Sequence, residues 1–299
     1  MSNKSLLVRI SLSIFAIVFL YHSLDIAKVL SAIGSAKPLF LFLCVLMIVL
    51  NYTISGFRWR SLIFFSNSFK GNNVFKLIKL YFIGAFFNNF MPTSIGGDIY
   101  KAYILGRDTN DMPKATAATF VNRLSGLIVL ALFSTVSLVF LLGISGLLVF
   151  LGFWILIVSG FIFLSLISKF IPKLKPYNDA LCLYKSHKTE VIKSLGFSVL
   201  VQIVANLGQY FAVLAVGIKV TIPQAFFAFP VIGFLSFLPV TFNGFGLQDW
   251  LYRLFLGYWG ISATLSVASS VIFHLCRVLV SLLGGVFLFF SHDKHSKTA

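Results

Sequence analysis

Long apolar runs are the feature that most constrains how this chain can fold. Each of six stretches is long enough to cross the hydrocarbon of a bilayer as a helix, which takes about 20 residues. They are 5–24, 38–57, 115–142, 144–167, 194–217 and 263–290. Because 59% of the 299 residues are hydrophobic and only 11% are charged, a water-soluble core could not bury the apolar surface. The sequence therefore predicts a single all-α, polytopic membrane domain over residues 1–299.

The first run has two interpretations, an uncleaved span and a signal peptide. No small-residue cleavage site follows it directly, so the uncleaved span is favoured. The next segment, 25–33, places Ile26, Val29, Leu30 and Ile33 on one helical face. That pattern is typical of a short helix that lies at the membrane surface.

A broken stretch at 86–107 interrupts the apolar pattern. Its proline donates no backbone hydrogen bond and its paired glycines permit positive φ, so one helix is not expected to continue through it. Inside hydrocarbon, broken backbone is tolerated only against protein or a water-filled cavity. The break therefore predicts a polar cavity, with an ordinary interfacial loop as the alternative. Its polar and helix-breaking residues are Asn88, Asn89, Pro92, Gly96, Gly97 and Asp98.

A second break at 230–250 follows the same order of features. An apolar approach leads to a proline, then to an asparagine, two glycines and a carboxylate. These residues are Pro239, Asn243, Gly244, Gly246 and Asp249. The repetition suggests an inverted repeat, an arrangement in which many transporters build a site near the bilayer midplane from discontinuous helices.

The positions of the basic residues predict the topology. The net charge of +16 comes from Lys and Arg at the ends of apolar runs, so it indicates orientation and attraction to anionic lipid rather than nucleic-acid binding. With the N-terminus in the cytoplasm, eighteen of the twenty-four lie inside, on segments that include 58–79 and the solvated, lysine-rich loop 169–193. This requires both breaks to be re-entrant hairpins, one entering from each face. The predicted architecture is about six full transmembrane helices plus two such hairpins.

Two arginines fall within predicted spans, where a charge costs about 2.5–3.5 kcal/mol and usually faces a partner or a cavity. Arg123 lies near the start of its span, so snorkelling to the cytoplasmic interface is an alternative. Arg277 lies midway along the last span, with His274 one helical turn earlier on the same side. A ligand site is one interpretation of these residues, and ion pairs with Asp98 or Asp249 that only hold helices together are the other.

The carboxylates in the two breaks also leave alternatives open. Asp98, with Lys101 behind it, can cap the following helix, position an arginine or bind a cationic group. Asp249 presents the same choice. The neighbouring glycines have no Cβ, which allows a headgroup phosphate to approach backbone N–H groups closely.

Soluble-type catalysis has little support in the sequence. No GxSxG, HExxH, P-loop or paired-carboxylate pattern occurs, and the three cysteines show neither CxxC nor metal-ligand spacing. We therefore expect no metal and no cofactor. A lipid-sugar glycosyltransferase would place an acidic residue on an external loop near the first span, and Asp25 stands there alone.

Three ordered blocks resemble the integral-membrane, flippase-like domain of bacterial lysylphosphatidylglycerol synthases, which also occurs as stand-alone proteins. The Arg58-Trp59-Arg60 cluster and the serine-rich last span also fit. The blocks are Asn89, Pro92, Gly96-Gly97-Asp98 with Tyr100-Lys101; Asn122-Arg123; and Pro239, Gly244-Phe245-Gly246 with Asp249. Two positions depart from the pattern, since Asn122 replaces the usual acidic residue and Asp249 stands where Glu is commoner.

The resemblance implies that the chain binds an anionic phospholipid or a polyprenyl phosphate and moves it between leaflets of a bacterial inner membrane. An accessory subunit or glycosyltransferase-type enzyme of lipid-linked glycan synthesis is the alternative, with such an enzyme as a partner. A third possibility is a structural membrane protein that binds no ligand. Because no soluble aminoacyl-transferring domain is seen, we do not expect this chain to aminoacylate lipid. Together, the residue patterns and the resemblance predict a headgroup site that comprises Arg58, Asn88, Asn89, Gly96, Gly97, Asp98, Lys101, Asn122, Arg123, Asn243, Gly244, Gly246, Asp249, His274 and Arg277, with Pro92 and Pro239 as structural residues.

Overall fold

The fold is all-helical throughout the part of the chain that the computed structural model describes. Those residues are 26–66, 74–90, 96–148, 151–152, 155, 159, 175–236, 244 and 246–292, and they contain no strand. The helices are α1 (Ile26–Gly34), α2 (Pro38–Ser61), α3 (Val74–Phe90), α4 (Gly96–Thr109), α5 (Met112–Leu142), α6 (Lys175–Ser186), α7 (Lys188–Ala215), α8 (Ile222–Ser236), α9 (Leu247–Gly257) and α10 (Ala263–His292).

Four helices, α2, α5, α7 and α10, are long and apolar enough to cross a membrane. They coincide with four of the six predicted spans, and the protein is therefore a multi-pass membrane protein. The predicted span 5–24 and most of 144–167 lie outside the described residues. Helix α2 continues past the predicted end at residue 57, because Arg58 is buried among polar partners instead of marking the membrane boundary.

Helix α1 has the predicted bounds to within one residue and packs against α10. Of its apolar residues only Val29 is buried, whereas Ile26 and Leu30 are more than half exposed. The exposed apolar face is the one that a helix lying at a membrane surface would turn toward lipid. That location remains a prediction.

The first break produces a helical hairpin of α3 and α4. At its base, Lys76 in the first turn of α3 forms an ion pair of 2.8 Å with Asp108 near the end of α4. Near its tip, Gly97 packs so tightly on α3 that an added Cβ would lie 2.0 Å from the carbonyl oxygen of Gly84. Asn88 fastens the tip by accepting a hydrogen bond of 2.8 Å from the Gly97 amide. The two helices are therefore antiparallel, with both outer ends at the same level.

The second break produces a similar hairpin of α8 and α9. Phe229 stacks on Tyr252 with 5.6 Å between ring centroids, and Phe227 lies 6.4 Å from Trp259. The pair farther from the break joins residues that are farther apart in sequence, as expected for two antiparallel helices. Helix α9 begins after Gly246, whose φ of 80° is in the left-handed region.

Helix α5 connects the two hairpins. Its first half packs on α4, whereas its second half holds α8 through serines: Ser134 donates 2.8 Å to the Pro230 carbonyl, and Ser137 donates 3.5 Å to that of Phe226. Pro230 has no N–H, so the Phe226 carbonyl has lost its normal helical donor and the serine replaces it. The hairpins thus approach α5 from opposite ends, and the ends of α4 and α8 that adjoin the breaks lie beside its centre, where Asp98 bonds Arg123 and Gly233 lies near Leu130.

The remaining helices close around this point. Helix α2 packs along α7, and α10 crosses α3 so closely that a Cβ on Gly284 would lie 2.1 Å from the Phe82 carbonyl oxygen. The lysine-rich segment was predicted to be a solvated loop, but its described part is helical. Helix α6 buries Ala180 and Tyr184 against the core, and the Tyr184 hydroxyl donates 2.9 Å to the Leu62 carbonyl. The segment is helical because a small residue, Ala180, and an aromatic residue, Tyr184, lie on one face of α6 and pack on the core.

Candidate functional site

A buried ion-pair cluster lies at the tip of the first hairpin. Asp98, in the first turn of α4, accepts 2.8 Å from Lys101 Nζ through one carboxylate oxygen and bonds Arg123 of α5 through the other. Of the options predicted for Asp98, the structure supports positioning of cations. Arg123 therefore points toward a partner within the protein rather than snorkelling to the interface.

Lys101 is held by aromatic rings as well as by the carboxylate. Its Nζ lies 3.9 Å from the centroid of the Tyr81 ring and 5.6 Å from that of Trp59, and the residue is only 3% exposed. A buried ammonium requires such compensation because desolvation opposes its charge. The cluster thus ties α4 to α2, α3 and α5.

Arg58 forms a second polar cluster that joins four helices. Its guanidinium donates 2.9 Å to Asn122 Oδ1, 3.0 Å to the Tyr81 hydroxyl and 3.3 Å to Ser198 Oγ. Asn122 also donates 3.2 Å to the Tyr81 hydroxyl. A neutral amide therefore fulfils the role of acceptor at position 122, where the sequence departs from the acidic residue expected.

A third cluster joins α9 to α10. Asp249 accepts 3.1 Å from the Gly246 amide, which caps the start of α9, and 2.5 Å from the Ser270 hydroxyl. His274 Nε2 lies 3.6 Å from the same carboxylate, and Nδ1 of its ring lies 3.0 Å from Arg277. The prediction that His274 and Arg277 lie on the same side of one helix is confirmed, and their side chains are in contact.

The tips of both hairpins open on one cavity of about 440 Å³ beside the centre of α5. Its walls come from α2, α3, α4, α5, α7, α8, α9 and α10, and the mouth of the second hairpin contributes Gly244 and Gln248. Four basic side chains line it, and among the described residues Asp98 is the only carboxylate that does so. The basic residues are Arg58, Lys101, Arg123 and Arg277. The formal charge of the lining is therefore strongly positive, which favours an anion.

A smaller, mainly apolar cavity of about 90 Å³ adjoins the first at Arg277. It lies between α2, α7 and α10, and Met47, Ile48, Val204 and Gly208 line its far end. The two cavities share Asn51, Tyr52, Ala205, Phe273 and Arg277, so a charged space and an apolar space adjoin between α2, α7 and α10.

Comparison with known protein families matches residues 6–285 to the lysylphosphatidylglycerol synthase TM region. The chain belongs to this family. The match covers nearly the whole chain and includes both hairpins, so the resemblance inferred from the three sequence blocks is confirmed. A search of curated proteins finds no match. Within the described residues of this family member, no group of three His, Cys, Asp or Glu could hold a metal ion.

The structure brings together about half of the residues predicted for a headgroup site. Those that line the large cavity are Arg58, Asn88, Asp98, Lys101, Asn122, Arg123, Gly244 and Arg277. Six further predicted residues do not line the cavity and lie behind its wall or between the helices of a hairpin. They are Asn89, Gly96, Gly97, Gly246, Asp249 and His274. Pro92, Pro239 and Asn243 lie outside the described residues.

Sequence reasoning missed the polar residues contributed by α2, α3 and α7. Asn51 and Ser55 lie four residues apart on the helix face that continues to Arg58, and Gln202 and Gln209 lie seven apart on α7. Polar side chains at intervals of three, four or seven within an apolar run indicate one polar helix face. That periodicity was the available signal for these positions.

Proposed function

We propose that this protein binds the phosphate-bearing headgroup of an anionic lipid in the large cavity and moves it between the leaflets of the membrane. The observation that carries the proposal is the convergence of the two hairpins on one positively charged cavity. A headgroup crossing bare hydrocarbon loses its hydration, and basic side chains in a polar groove replace it. The smaller apolar cavity beside it favours an amphiphilic ligand whose apolar tail lies outside the large cavity.

The topology proposed for this activity has six full spans and two re-entrant hairpins, with both termini in the cytoplasm of a bacterial cell. The helices of the hairpins support re-entry, because α3 with 17 residues and α4 with 14 reach only about 25 Å and about 21 Å. The hydrocarbon core measures about 30 Å. The ion pair of 2.8 Å between Lys76 and Asp108 supports re-entry as well, because it brings the two outer ends of the hairpin together.

Replacing Arg277 by glutamine tests the proposal. A charge-assisted hydrogen bond contributes about 1.5–3 kcal/mol, so loss of the guanidinium is expected to slow headgroup transfer about tenfold or more. The measurement is leaflet exchange of a tail-labelled phosphatidylglycerol in liposomes that contain the purified protein, read by quenching of the outer leaflet. Wild-type protein is expected to accelerate exchange well above protein-free liposomes.

Lys219→Gln is the matched control, because Lys219 is exposed in the connection after α7 and does not line the cavity. It removes one positive charge and should exchange lipid at the wild-type rate. The proposal fails if wild-type protein does not accelerate exchange. The role of Arg277 is contradicted if Arg277→Gln protein, purified with normal yield and elution volume, exchanges lipid at the rate of the Lys219→Gln control.

A further inference from the structure

We propose that His274, behind the cavity wall, takes up a proton when an anionic headgroup binds Arg277, so that proton and lipid each favour binding of the other. The inference rests on the proposed function and specifies how it is regulated. It concerns the cluster of Asp249, His274 and Arg277. Asp249 and His274 are each 3% exposed, whereas Arg277 lines the large cavity.

The contact between Arg277 and His274 determines which imidazole nitrogen can accept a proton. Arg277 Nη2 lies 3.0 Å from His274 Nδ1. A guanidinium only donates, so Nδ1 accepts this hydrogen bond and carries no proton in this arrangement. The neutral ring then has its proton on Nε2, which lies 3.6 Å from the Asp249 carboxylate. His274 can therefore gain a proton only at Nδ1, and only when Arg277 leaves that atom.

Asp249 is placed to stabilise the imidazolium that results. Its carboxylate is held beside the ring by the Gly246 amide at 3.1 Å and the Ser270 hydroxyl at 2.5 Å. A protonated His274 beside Arg277 puts two cations in a largely buried cluster, and one carboxylate offsets only one of them. An anion at Arg277 offsets the other. The formal charges of the cluster thus balance either with no anion and no proton, or with both.

An anionic headgroup also gives Arg277 a reason to leave His274. Phosphate offers the guanidinium charged acceptors in a geometry that suits its planar fork, whereas the imidazole offers one neutral nitrogen. When the guanidinium turns to a phosphate in the cavity, Nδ1 loses its donor. The anion also offsets the positive charge that opposed a second cation. A proton from the solvent then binds Nδ1, and the ring pairs with Asp249.

The other titratable side chains around the cluster are thiols and phenols, which carry no charge near neutral pH. They are Cys44, Tyr52, Tyr252 and Cys276. Helix α8 has no titratable residue, and α7 lines the cavity with neutral glutamines. Lys28 of α1 is exposed, and Lys79 of α3 lies over the Phe287 ring, more than three turns beyond His274. Among the described residues of this cluster, only His274 belongs to the class that ordinarily titrates near neutral pH.

The coupling makes lipid affinity depend on pH in one direction. Because the complex holds more protons than the free protein, affinity rises as the pH falls. For a single proton the change is at most about tenfold per pH unit. The effect is reciprocal, since bound lipid raises the affinity for the proton by the same factor. Lipid therefore binds more readily from the side of the membrane with the higher proton concentration.

The test is a calorimetric titration of diheptanoyl phosphatidylglycerol into the purified full chain in detergent, at pH 6, 7 and 8, with detergent alone as the blank. This phosphodiester keeps one negative charge over that range, so its own titration does not contribute. Heats at pH 7 in two phosphate-free buffers of different ionisation enthalpy give the number of protons taken up. We expect about half a proton per bound lipid, and binding about tenfold tighter at pH 6 than at pH 8.

The possible failures are distinguishable. Equal affinity at the three pH values, with no proton uptake, overturns this inference alone and leaves the proposed function in place. Tighter binding at pH 8 than at pH 6 contradicts the coupling as well. Absence of binding at every pH removes the proposed function and this inference together.

A variant tests the role of His274 itself. His274→Gln keeps an acceptor for Arg277 but takes up no proton, so its affinities at pH 6 and pH 8 should differ by less than about twofold. His187→Gln is the matched control, because His187 stacks on Phe64 outside the cavity, and it should keep the wild-type pH dependence. Unchanged proton uptake in folded His274→Gln overturns the assignment.

A second protein covers the case in which His274→Gln does not fold. It retains His274 as its single histidine, and the other four are replaced together by glutamine. Those four are His22, His187, His292 and His295. Proton uptake on lipid binding should persist in this protein at the wild-type value. If the folded protein binds lipid without taking up a proton, His274 is not the proton site.

Discussion

Gly97→Ala is expected to destabilise the protein by about 3 kcal/mol, although alanine normally favours a helix over glycine by roughly 0.5–1 kcal/mol. The new methyl group would lie 2.0 Å from the Gly84 carbonyl oxygen and 2.8 Å from its Cα. Both obstacles are backbone atoms, so no side-chain rotation relieves them, and α4 must move away from α3. That movement also breaks the hydrogen bond from the Gly97 amide to Asn88.

The measurement is thermal melting in detergent, followed by the fraction of protein that remains in the folded size-exclusion peak. Gly196→Ala is the control, because it lies within α7 and an added Cβ there has no neighbouring atom within 4 Å. It should be neutral or slightly stabilising. Equal melting temperatures for the two variants would show that α3 and α4 do not approach as closely as described.

Asp98→Asn is expected to cost about 3–5 kcal/mol, the range for removing one partner of a buried ion pair. The substitution leaves Lys101 and Arg123 facing each other without a negative charge, and Lys101 is almost completely buried. An amide oxygen compensates only partly, and the amide nitrogen would face the cations. The stability loss is measured as the shift in melting temperature in detergent.

Asp108→Asn is the matched comparison at the other end of the same helix. Its partner, Lys76, has a side chain that is 48% exposed, so solvent screens the pair and the expected cost is only about 0–1 kcal/mol. A second comparison is Asp98→Asn combined with Lys101→Met, which removes both charges and should recover part of the loss. If Asp98→Asn costs no more than Asp108→Asn, the buried cluster is not what holds the tip of the hairpin in place.

Much of the fold could be predicted because its signals lie close together in sequence. The four long helices follow from uninterrupted apolar runs, and each hairpin follows from a proline, glycines and a carboxylate within about twenty residues. The choice of Arg123 and Arg277 as site residues rested on the cost of charge in hydrocarbon, and both line the cavity.

The partners of these residues could not be predicted, because they depend on contacts between distant helices. Asp98 and Asp249 read alike in the sequence, yet the first lines the cavity and pairs with two cations, whereas the second caps α9 behind the wall. The difference comes from what each carboxylate meets across the fold: Arg123 on α5 for one and Ser270 on α10 for the other. Tyr81, which touches both basic clusters, had no distinguishing sequence signal within its apolar segment.

The serine contacts between α5 and α8 have a mechanical consequence. Ser134 lies 2.7 Å from the Leu130 carbonyl as well as 2.8 Å from that of Pro230, and Ser137 lies 3.1 Å from its own-helix carbonyl at Phe133. Each hydroxyl therefore keeps an acceptor when α8 moves away, although the Phe226 carbonyl then loses the donor that replaces the missing Pro230 N–H. The first hairpin has no such reserve, since separating Asp98 from Arg123 strands charges. We therefore expect displacement along α5 to cost less free energy for α8 and α9 than for α3 and α4.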